Sequence, residues 1–426
     1  MQSDNSTKAM TFAEKMFARA CGKETVRAGD IVYPDSSLVI IHDSYLEAAY
    51  KELTDLGYRR IVNPERLVAV TDHEVLYTTP RAVARGIANR RIMKAWQGGR
   101  FFDAGQGGHG HVFPMEMGLV QPGMFLAAYD SHCSNFGAIG AYAMASVTDV
   151  TVILATGTKW TVVPETIRVD VTGDFPAGVH PRDVCFQLSS DLAAERHGFN
   201  AEAAVVEFRG ETVDRMAVAS RIGLINTLTE IAAAHVLFPP KHYDGRPAPE
   251  LQHLVSDPDA PMRGRIALNL AEARPTLALP GAPSNAADIS AAAGQPIDHA
   301  YIGACGSSQY EDFAAAADVM KGRAVASGVR MFVVPGTVTM AARMMKEGLA
   351  QVFMEAGAIM LPAGCGPCAG GVMAPVGPGE VSISTAATNT KGRMGSAEAE
   401  YFLGSPLSVA AAAVTGRITD PREILA

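Results

Sequence analysis

Three cysteines form the most reactive pattern in this chain. Cys365 and Cys368 stand three residues apart in the glycine-rich stretch 364–371, and Cys305 follows a separate apolar run among small residues. Two thiolates at this spacing can bind one metal centre, and glycines let the backbone approach it closely. The pair alone fits a zinc half-site, a redox dithiol or two unreactive cysteines. With Cys305 added, the set suits a [4Fe–4S] cluster bound by three thiolates, with one iron left open as a Lewis acid.

Acidic and imidazole side chains follow three apolar runs that we predict to be buried strands. These end at His42-Asp43, at Asp72-His73 and at Asp130-Ser131-His132. Open α/β sheets place their sites just beyond the carboxyl ends of strands, so the three ends together predict a site. Taken singly, Asp72-His73 is better explained by a helix cap or a structural hydrogen bond than by a functional role. In the last group, Asp130 can orient the imidazole of His132 and raise its basicity.

A glycine-rich loop, residues 102–111, holds His109 and His111. Such a loop could cradle a phosphate. However, no G-x-G-x-x-G follows a strand and opens a helix here, and no Walker lysine is present, so we discount nucleotide binding. Further on, a long helix is predicted over 214–237, and Glu207 lies inside an apolar strand predicted over 203–209. A carboxylate in that position is costly unless it binds something, or unless it occupies an alternate position that faces the surface.

In their order along the chain, these motifs resemble those of the aconitase superfamily, in particular the large-subunit branch of isopropylmalate dehydratases and related two-subunit hydro-lyases. The resemblance covers roughly residues 11–424 and includes the stretch 156–171. It implies an aconitase-like α/β fold with parallel-sheet lobes around an iron–sulfur cluster, without the swivel domain. It also implies a hydro-lyase that acts on a small hydroxy-acid, with a role in leucine biosynthesis.

The resemblance carries over to individual residues. It implies a [4Fe–4S] cluster on Cys305, Cys365 and Cys368. The candidate catalytic residues are Asp72, His73, His111, Asp130, His132 and Glu207, and the candidate substrate-binding residues are Ser131, Thr388, Lys391 and Arg393. His111 and the Asp130–His132 pair would deliver a proton to the leaving oxygen, and Glu207 would hold an iron-bound water or hydroxyl. The guanidinium of Arg393 would bind a substrate carboxylate.

Several positions depart from the family pattern. Cys133 stands where the family has threonine, and His109 has no clear counterpart beside His111. Ala387 and Thr388 occupy the places of a typical Asn-Arg pair, so one carboxylate-binding cation is missing. Either the substrate lacks that carboxylate, or another cation such as Lys391 replaces the arginine. Another substituted malate is therefore as good a substrate candidate as isopropylmalate.

Composition limits the function classes. A net charge of −8 argues against a nucleic-acid surface, which needs clustered Lys and Arg. No run reaches the ~18–20 apolar residues of a membrane helix. The polar stretch 1–8 lacks the apolar region of a signal peptide, which predicts a cytoplasmic protein. Six cysteines in 426 residues are not a disulfide scaffold.

We predict two interleaved α/β lobes over residues 1–272, a linker over 273–296 and a last α/β lobe with the cluster cysteines over 297–426. The resemblance implies that the missing swivel lobe is supplied by a separate small subunit. Three rival classes stay open: a dithiol oxidoreductase, a zinc site completed by Cys133 or a histidine, and a cluster-free RNA-binding protein. Cys21 and Cys185, in predicted helices, are expected to be inert.

Overall fold

The computed structural model describes residues 9–97 and 99–425, so the stretch 1–8, on which the signal-peptide prediction rests, lies outside it. The α-helices are α1 (Phe12–Ala20), α2 (Asp43–Asp55), α3 (Pro80–Ala95), α4 (Phe113–Glu116), α5 (Val150–Thr156), α6 (Pro181–Ala193), α7 (Glu211–Arg215), α8 (Val218–Ile225), α9 (Tyr310–Met320), α10 (Val338–Lys346), α11 (Leu349–Glu355), α12 (Pro406–Thr415) and α13 (Arg422–Leu425). The β-strands are β1 (Ile31–Val32), β2 (Val39–His42), β3 (Leu67–Val70), β4 (Arg100–Phe102), β5 (Phe125–Ala128), β6 (Tyr142–Ala145), β7 (Thr161–Val162), β8 (Thr166–Thr172), β9 (Val205–Arg209), β10 (His235–Leu237), β11 (Gly264–Asn269), β12 (Thr276–Ala278), β13 (Ala286–Asp288), β14 (His299–Ile302), β15 (Arg330–Val333), β16 (Ile359–Met360), β17 (Val381–Ser384) and β18 (Glu400–Leu403).

Helix starts follow from local side-chain chemistry. Thr11 and Glu14 form a capping box at α1, in which each side chain accepts a hydrogen bond from the other residue's backbone N–H. Thr79 and Thr337 accept in the same way from the first turns of α3 and α10. These caps satisfy backbone donors that the helices leave free, so the loops before them are held in place.

The first sheet consists of five parallel strands in the order β4-β3-β2-β5-β6. Its central strands are buried on both faces, as the near-continuous apolar runs predict for a parallel sheet. Alternate residues of β2 enter different cores: Ile40 packs toward the second sheet, and Val39 and Ile41 pack toward α1, α2 and α3. Because the strands are parallel, the segments that follow β2, β3 and β5 lie at one edge.

The second sheet is parallel in the order β10-β9-β8-β11. The sequence predicted a long helix over 214–237, and this is wrong. The stretch forms α7, α8 and a 3-10 turn over Leu228–Ile231, after which Ala232 adopts a left-handed conformation and the chain enters β10. Leu237 pairs with Glu207 in this sheet. A short apolar run cannot be assigned to helix or strand by periodicity alone, and sheet pairing decides the outcome here.

The third sheet has the order β13-β12-β18-β17-β14-β15-β16. Strands β14 to β18 pair in parallel, and β12 pairs antiparallel with both β13 and β18. The stretch 273–296, which we predicted as a linker, therefore supplies two strands to this sheet. Its short apolar segments around Leu277 join the same core as α9 and α12.

A small antiparallel ribbon of β1 and β7 completes the strands in the described residues. Within that same part of the chain, no helix combines the length and the apolar character needed to cross a membrane.

Candidate functional site

Two loops at one edge of the third sheet carry the cysteines. Cys305 follows β14, and Cys365 and Cys368 follow β16, with β15 between these two strands. The second loop contacts the first sheet, since the Cys365 N–H donates to the backbone oxygen of Asp72 at 2.8 Å. Gly364, at φ +154°, allows this approach, because a Cβ there would lie 2.6 Å from that oxygen. The edges of the first and third sheets therefore meet at the cysteines.

All three thiols are buried and line one cavity. Each sulfur contacts one side-chain nitrogen: Asn226 Nδ2 lies 3.0 Å from Cys305, His109 Nε2 lies 3.3 Å from Cys365, and Arg393 Nη2 lies 3.7 Å from Cys368. Burial raises the pKa of Cys305 and Cys365 above the ordinary thiol value. For Cys368, burial also raises the pKa, but the charge of Arg393, the Ala387 backbone hydrogen bond and the charge of His132 together outweigh it and leave the pKa lowered.

Asp72 is the centre of a buried network on the first sheet. Its carboxylate contacts His42 Nδ1 at 2.9 Å and His73 Nδ1 at 2.8 Å, and accepts from the Gly110 N–H at 2.8 Å. Burial would raise the pKa of Asp72, but the two imidazoles outweigh it and hold it well below the usual range. Burial likewise opposes charge on His42 and His73, yet Asp72 raises the pKa of both.

His111 extends this network toward the cysteines. Its Nε2 lies 3.1 Å from His42 Nε2, and its buried Nδ1 has no hydrogen-bond partner in the described part of the chain. Burial, reinforced by the His42 charge, lowers the pKa of His111 well below its ordinary value. His111 is thus a neutral imidazole that His42 orients and that has one nitrogen free for a ligand.

His132 stands between two carboxylates. Its Nδ1 lies 2.8 Å from Asp130, and its Nε2 lies 2.8 Å from Glu230. Burial would lower the pKa of His132, but Asp130 and the hydrogen bonds to both carboxylates hold it well above its ordinary value. Asp130, despite burial, has a strongly lowered pKa, chiefly because of His132. The ring of His132 is therefore held in its protonated form, between two carboxylates and beside the cysteines.

A larger cavity of about 490 Å³ adjoins that of the cysteines, and the two share the lining residues His73, Asp130, His132, Ala369 and Arg393. Its volume falls in the range of small-ligand pockets. Glu230 also lines it. The proton-holding groups therefore lie between the thiols and a space large enough for a small acid.

The predicted substrate-binding residues are only partly brought together. Ser131, Thr388 and Arg393 line the larger cavity. The Oγ1 of Thr388 and the Nε of Arg393 are buried without a hydrogen-bond partner among the described residues. Lys391 is exposed and does not line either cavity. It is therefore not placed to replace the missing arginine.

Glu207 is not at the site, which corrects the sequence prediction. It is fully buried on β9, where its carboxylate accepts from the Ser256 hydroxyl and, at 2.9 Å, from Arg209. These partners explain how the strand tolerates a charge, so neither the active-site interpretation nor the surface alternative describes it. Glu230, in the 3-10 turn after α8, is the glutamate that lines the larger cavity.

Cys133 does not line the cavity, although it adjoins the Asp130–His132 pair in sequence. Its thiol is buried in the apolar core and contacts the Ala143 oxygen at 3.5 Å. It is therefore placed neither as a fourth cluster ligand nor as the ligand that completes a zinc site. Cys185 is likewise buried, with its sulfur 2.8 Å from Thr227 Oγ1, and Cys21 caps the end of α1.

Two residues that contact Asp72 or His132 were not selected from sequence. His42 ends an apolar run and precedes an aspartate, so the signal that selected Asp72 and Asp130 also applied to it. Glu230 carried no usable signal, because it lies in a stretch that we predicted to be one continuous helix. Its position depends on where α8 ends, which tertiary packing decides.

The fold and the site define an α/β enzyme in which buried cysteines of one sheet meet buried histidines of another. Comparison with known proteins identifies the family: the pattern of the aconitase family (aconitate hydratase) matches residues 14–416. The chain belongs to the aconitase family and is a hydro-lyase, which confirms the superfamily, fold class and enzyme class predicted from sequence.

Curated relatives match almost end to end. The chain is 35% identical over 425 residues to "3-isopropylmalate dehydratase large subunit 1" of Methanopyrus kandleri, covering 97% of this chain and 99% of that one. It is 34% identical to the protein of the same name in Pyrococcus furiosus, with 98% and 99% covered. The holo-form structure of Thermococcus kodakaraensis aconitase X aligns with a TM-score of 0.49 at 10% identity, over 83% of this chain and 84% of that one. That likeness is too weak to carry an argument.

Proposed function

We propose that this chain is the large, catalytic subunit of a two-subunit hydro-lyase that removes and adds water at a small substituted malate. The observation that carries the proposal is the convergence of Cys305, Cys365 and Cys368 on one cavity beside the imidazolium of His132. The names of the relatives support isopropylmalate or a close analogue as substrate and leucine biosynthesis as the context.

The residues present fit a [4Fe–4S] cluster held by the three thiolates. Besides the N–H group at each sulfur, the buried Arg182 donates to Asn226 and to the Ala386 oxygen and lies against Gly306, next to Cys305. Neither Arg182 nor Arg393 makes an ion pair with a carboxylate in the residues described. Buried cations without acidic partners are costly, so an anionic group between them would satisfy both. When bound, such a cluster supplies a Lewis acid that polarises a substrate hydroxyl.

The chain's own residues then divide the proton chemistry. His132 holds a proton between Asp130 and Glu230 and can transfer it to a departing hydroxyl in the larger cavity. Glu230, which faces that cavity, can orient the hydroxyl or a water molecule. His111 lines the adjoining cavity of the cysteines with a free Nδ1, and Asp72 fixes His111 through His42. His73 supports this network through its contact with Asp72.

Arg393 is proposed to bind a substrate carboxylate, since a guanidinium can donate two parallel hydrogen bonds to it. Thr388 lines the same cavity without adding a charge, and Ser131 adds a hydroxyl. A single cation suits a substrate whose second carboxylate is bound by other groups, among them groups of a partner chain.

We further propose that a separate small subunit completes the enzyme, as the designation "large subunit" of the relatives implies. It would cover the larger cavity and exclude water from it. A cytoplasmic location is proposed with it, since all six cysteines are unpaired, as in reducing compartments.

Reconstitution tests the proposal. The purified chain is loaded anaerobically with iron and sulfide, mixed with its candidate small subunit, and assayed on a panel of substituted malates. We expect stoichiometric iron and sulfide and turnover that needs both chains. Binding of zinc without sulfide, or of RNA at physiological salt, would instead support a rival class. Full turnover by the isolated chain would contradict the partner proposal.

A further inference from the structure

We propose that His109 is a positioning residue for Cys365, whose thiolate accepts a hydrogen bond from the Nε2–H of this imidazole. The inference rests on the proposed cluster and adds a residue to it. His109 has no clear counterpart in the family motif and takes no part in the proton chemistry described above.

The backbone of His109 is fixed against the segment that follows β15 of the third sheet. Its N–H donates to the Gly336 oxygen at 2.7 Å, and Gly108 pairs with Thr337. Gly108 adopts φ +146°, and a Cβ there would lie 2.4 Å from the same Gly336 oxygen, so the close approach requires glycine. The loop that carries His109 is therefore held against the segment after β15, and β15 neighbours β16, the strand that leads to Cys365.

The ring of His109 is fixed as well, and its tautomer follows. The His111 N–H donates to His109 Nδ1 at 3.2 Å, and a nitrogen that accepts a hydrogen bond carries no proton. In the neutral imidazole the proton then resides on Nε2, which lies 3.3 Å from Cys365 Sγ. The remaining N–H thus points at the sulfur.

A donor at this sulfur has a definite consequence for a bound cluster. Hydrogen bonds to ligating sulfurs withdraw charge and favour the more reduced, more negative cluster, so they raise its reduction potential. Removing the donor should lower the potential while leaving all three thiolate ligands in place. The alternative role is direct ligation, since His109, Asp72 and Cys365 offer ligand atoms within 4.8 Å of one another.

The test compares His109→Leu, which removes the donor, with His109→Gln, whose amide N–H can replace Nε2–H. His235→Gln, at a buried histidine outside the site, controls for the loss of a buried ring. Each holo-chain is assayed for iron and sulfide and titrated for its midpoint potential by electron paramagnetic resonance. We expect full loading throughout, a more negative potential in His109→Leu, faster loss of the cluster to a chelator, and a near-native potential in His109→Gln.

Outcomes separate this inference from the function on which it rests. Wild-type protein that binds no iron and sulfide would overturn the cluster and this inference together. Loaded variants with the wild-type potential would overturn the inference alone. If His109→Leu does not fold, the test uses the hyperfine coupling between the cluster and the nitrogens of isotope-labelled histidine. This coupling is measured in wild type and in His109→Gln. A weak coupling that is lost in His109→Gln supports a hydrogen bond, a strong one shows direct ligation, and none contradicts both.

Discussion

The two sides of the site differ in how their buried polar groups are satisfied. On the histidine side, built on the first sheet, the carboxylates of Asp72 and Asp130 already have imidazole partners within 3 Å. On the cysteine side, built on the third sheet, each sulfur contacts one side-chain nitrogen, and the guanidiniums of Arg182 and Arg393 have no carboxylate partner in the residues described. The buried polar groups of the histidine side are thus satisfied by the chain itself. The cysteine side, among the described residues, has more hydrogen-bond donors and positive charges than acceptors and negative charges.

This difference shows what each side needs to function. A buried charge without a partner is costly, so the cysteine side is expected to gain stability when an anionic group binds. The histidine side needs no ligand to hold its protons in place. Substitutions on the cysteine side should therefore change loading, and those on the histidine side should change turnover at full loading.

The largest effect is expected on the cysteine side. Cys305→Ser removes one of three thiolates and should abolish stable binding of iron and sulfide, and with it activity. Cys133→Ser is the matched control, because that thiol lies in the apolar core and not at the cavity. Metal and sulfide analysis of both variants checks this. Full loading of Cys305→Ser would show that the cluster assignment is wrong.

On the histidine side, Glu230→Gln should leave loading unchanged and lower kcat by about 10²-fold or more, the usual contribution of a proton-transfer group. The reason is that His132 loses one of the two carboxylates that hold its proton. Glu207→Gln is the control from the second sheet and should keep its kcat. It should instead lower the free energy of unfolding by about 1–3 kcal/mol, since Ser256 and Arg209 lose a charged acceptor. If both variants lowered kcat equally, Glu230 would not be a catalytic residue.

Sequence reasoning succeeded where the signal was local. The buried parallel strands were predicted from uninterrupted apolar runs. The spacing and small neighbours of the cysteines, and the polar residues that follow those runs, selected Cys305, Cys365, Asp72 and Asp130; the structure places these side chains around one site, and their roles stay a prediction. It failed where pairing between distant segments decides the result. Glu207 and Glu230 are both glutamates near apolar residues, and only the path of the chain after α8 brings the second one to His132.

The neighbours of Cys133 show the same limit on a shorter scale. It follows directly after His132 in the chain, yet the 3-10 turn over Ser131–Ile139 directs the two side chains to different environments. His132 contacts Glu230, and Cys133 packs in the core. Adjacency in sequence could not separate a site residue from a core residue at this position.

A smaller effect is expected at the edge of the larger cavity. Thr388→Arg should restore the cation that the family pattern has here, and a desolvated charge pair can contribute on the order of 2 kcal/mol to carboxylate binding. Turnover of hydroxy-dicarboxylates should improve through KM, with little change in loading. Thr388→Val, which is similar in size and uncharged, is the control. An unchanged substrate profile for Thr388→Arg would mean that this position does not contact substrate.

The smallest effect concerns stability and contrasts two kinds of buried histidine. His42 has a carboxylate partner and a raised pKa, whereas His299 on β14 contacts the Ser382 hydroxyl at 2.9 Å and has no carboxylate partner in the described part of the chain. Burial lowers the pKa of His299 to about 4, below the value of about 6.5 expected for an unfolded chain. Between these two pH values, the ring of His299 is therefore neutral in the folded state and protonated in the unfolded state.

The sign of the pH effect follows from this difference. The contribution of neutral His299 to stability is complete above pH 6.5 and is lost as the pH falls toward 4, with about 2 kcal/mol lost by pH 5. His299→Asn should reduce that loss, because the amide does not titrate, even if its stability at pH 7.5 is lower. His253→Asn, at an exposed histidine, is the control and should keep the wild-type pH dependence. Urea midpoints at pH 7.5 and pH 5 measure the difference, and an equal drop in wild type and His299→Asn would show that acid acts elsewhere in the fold.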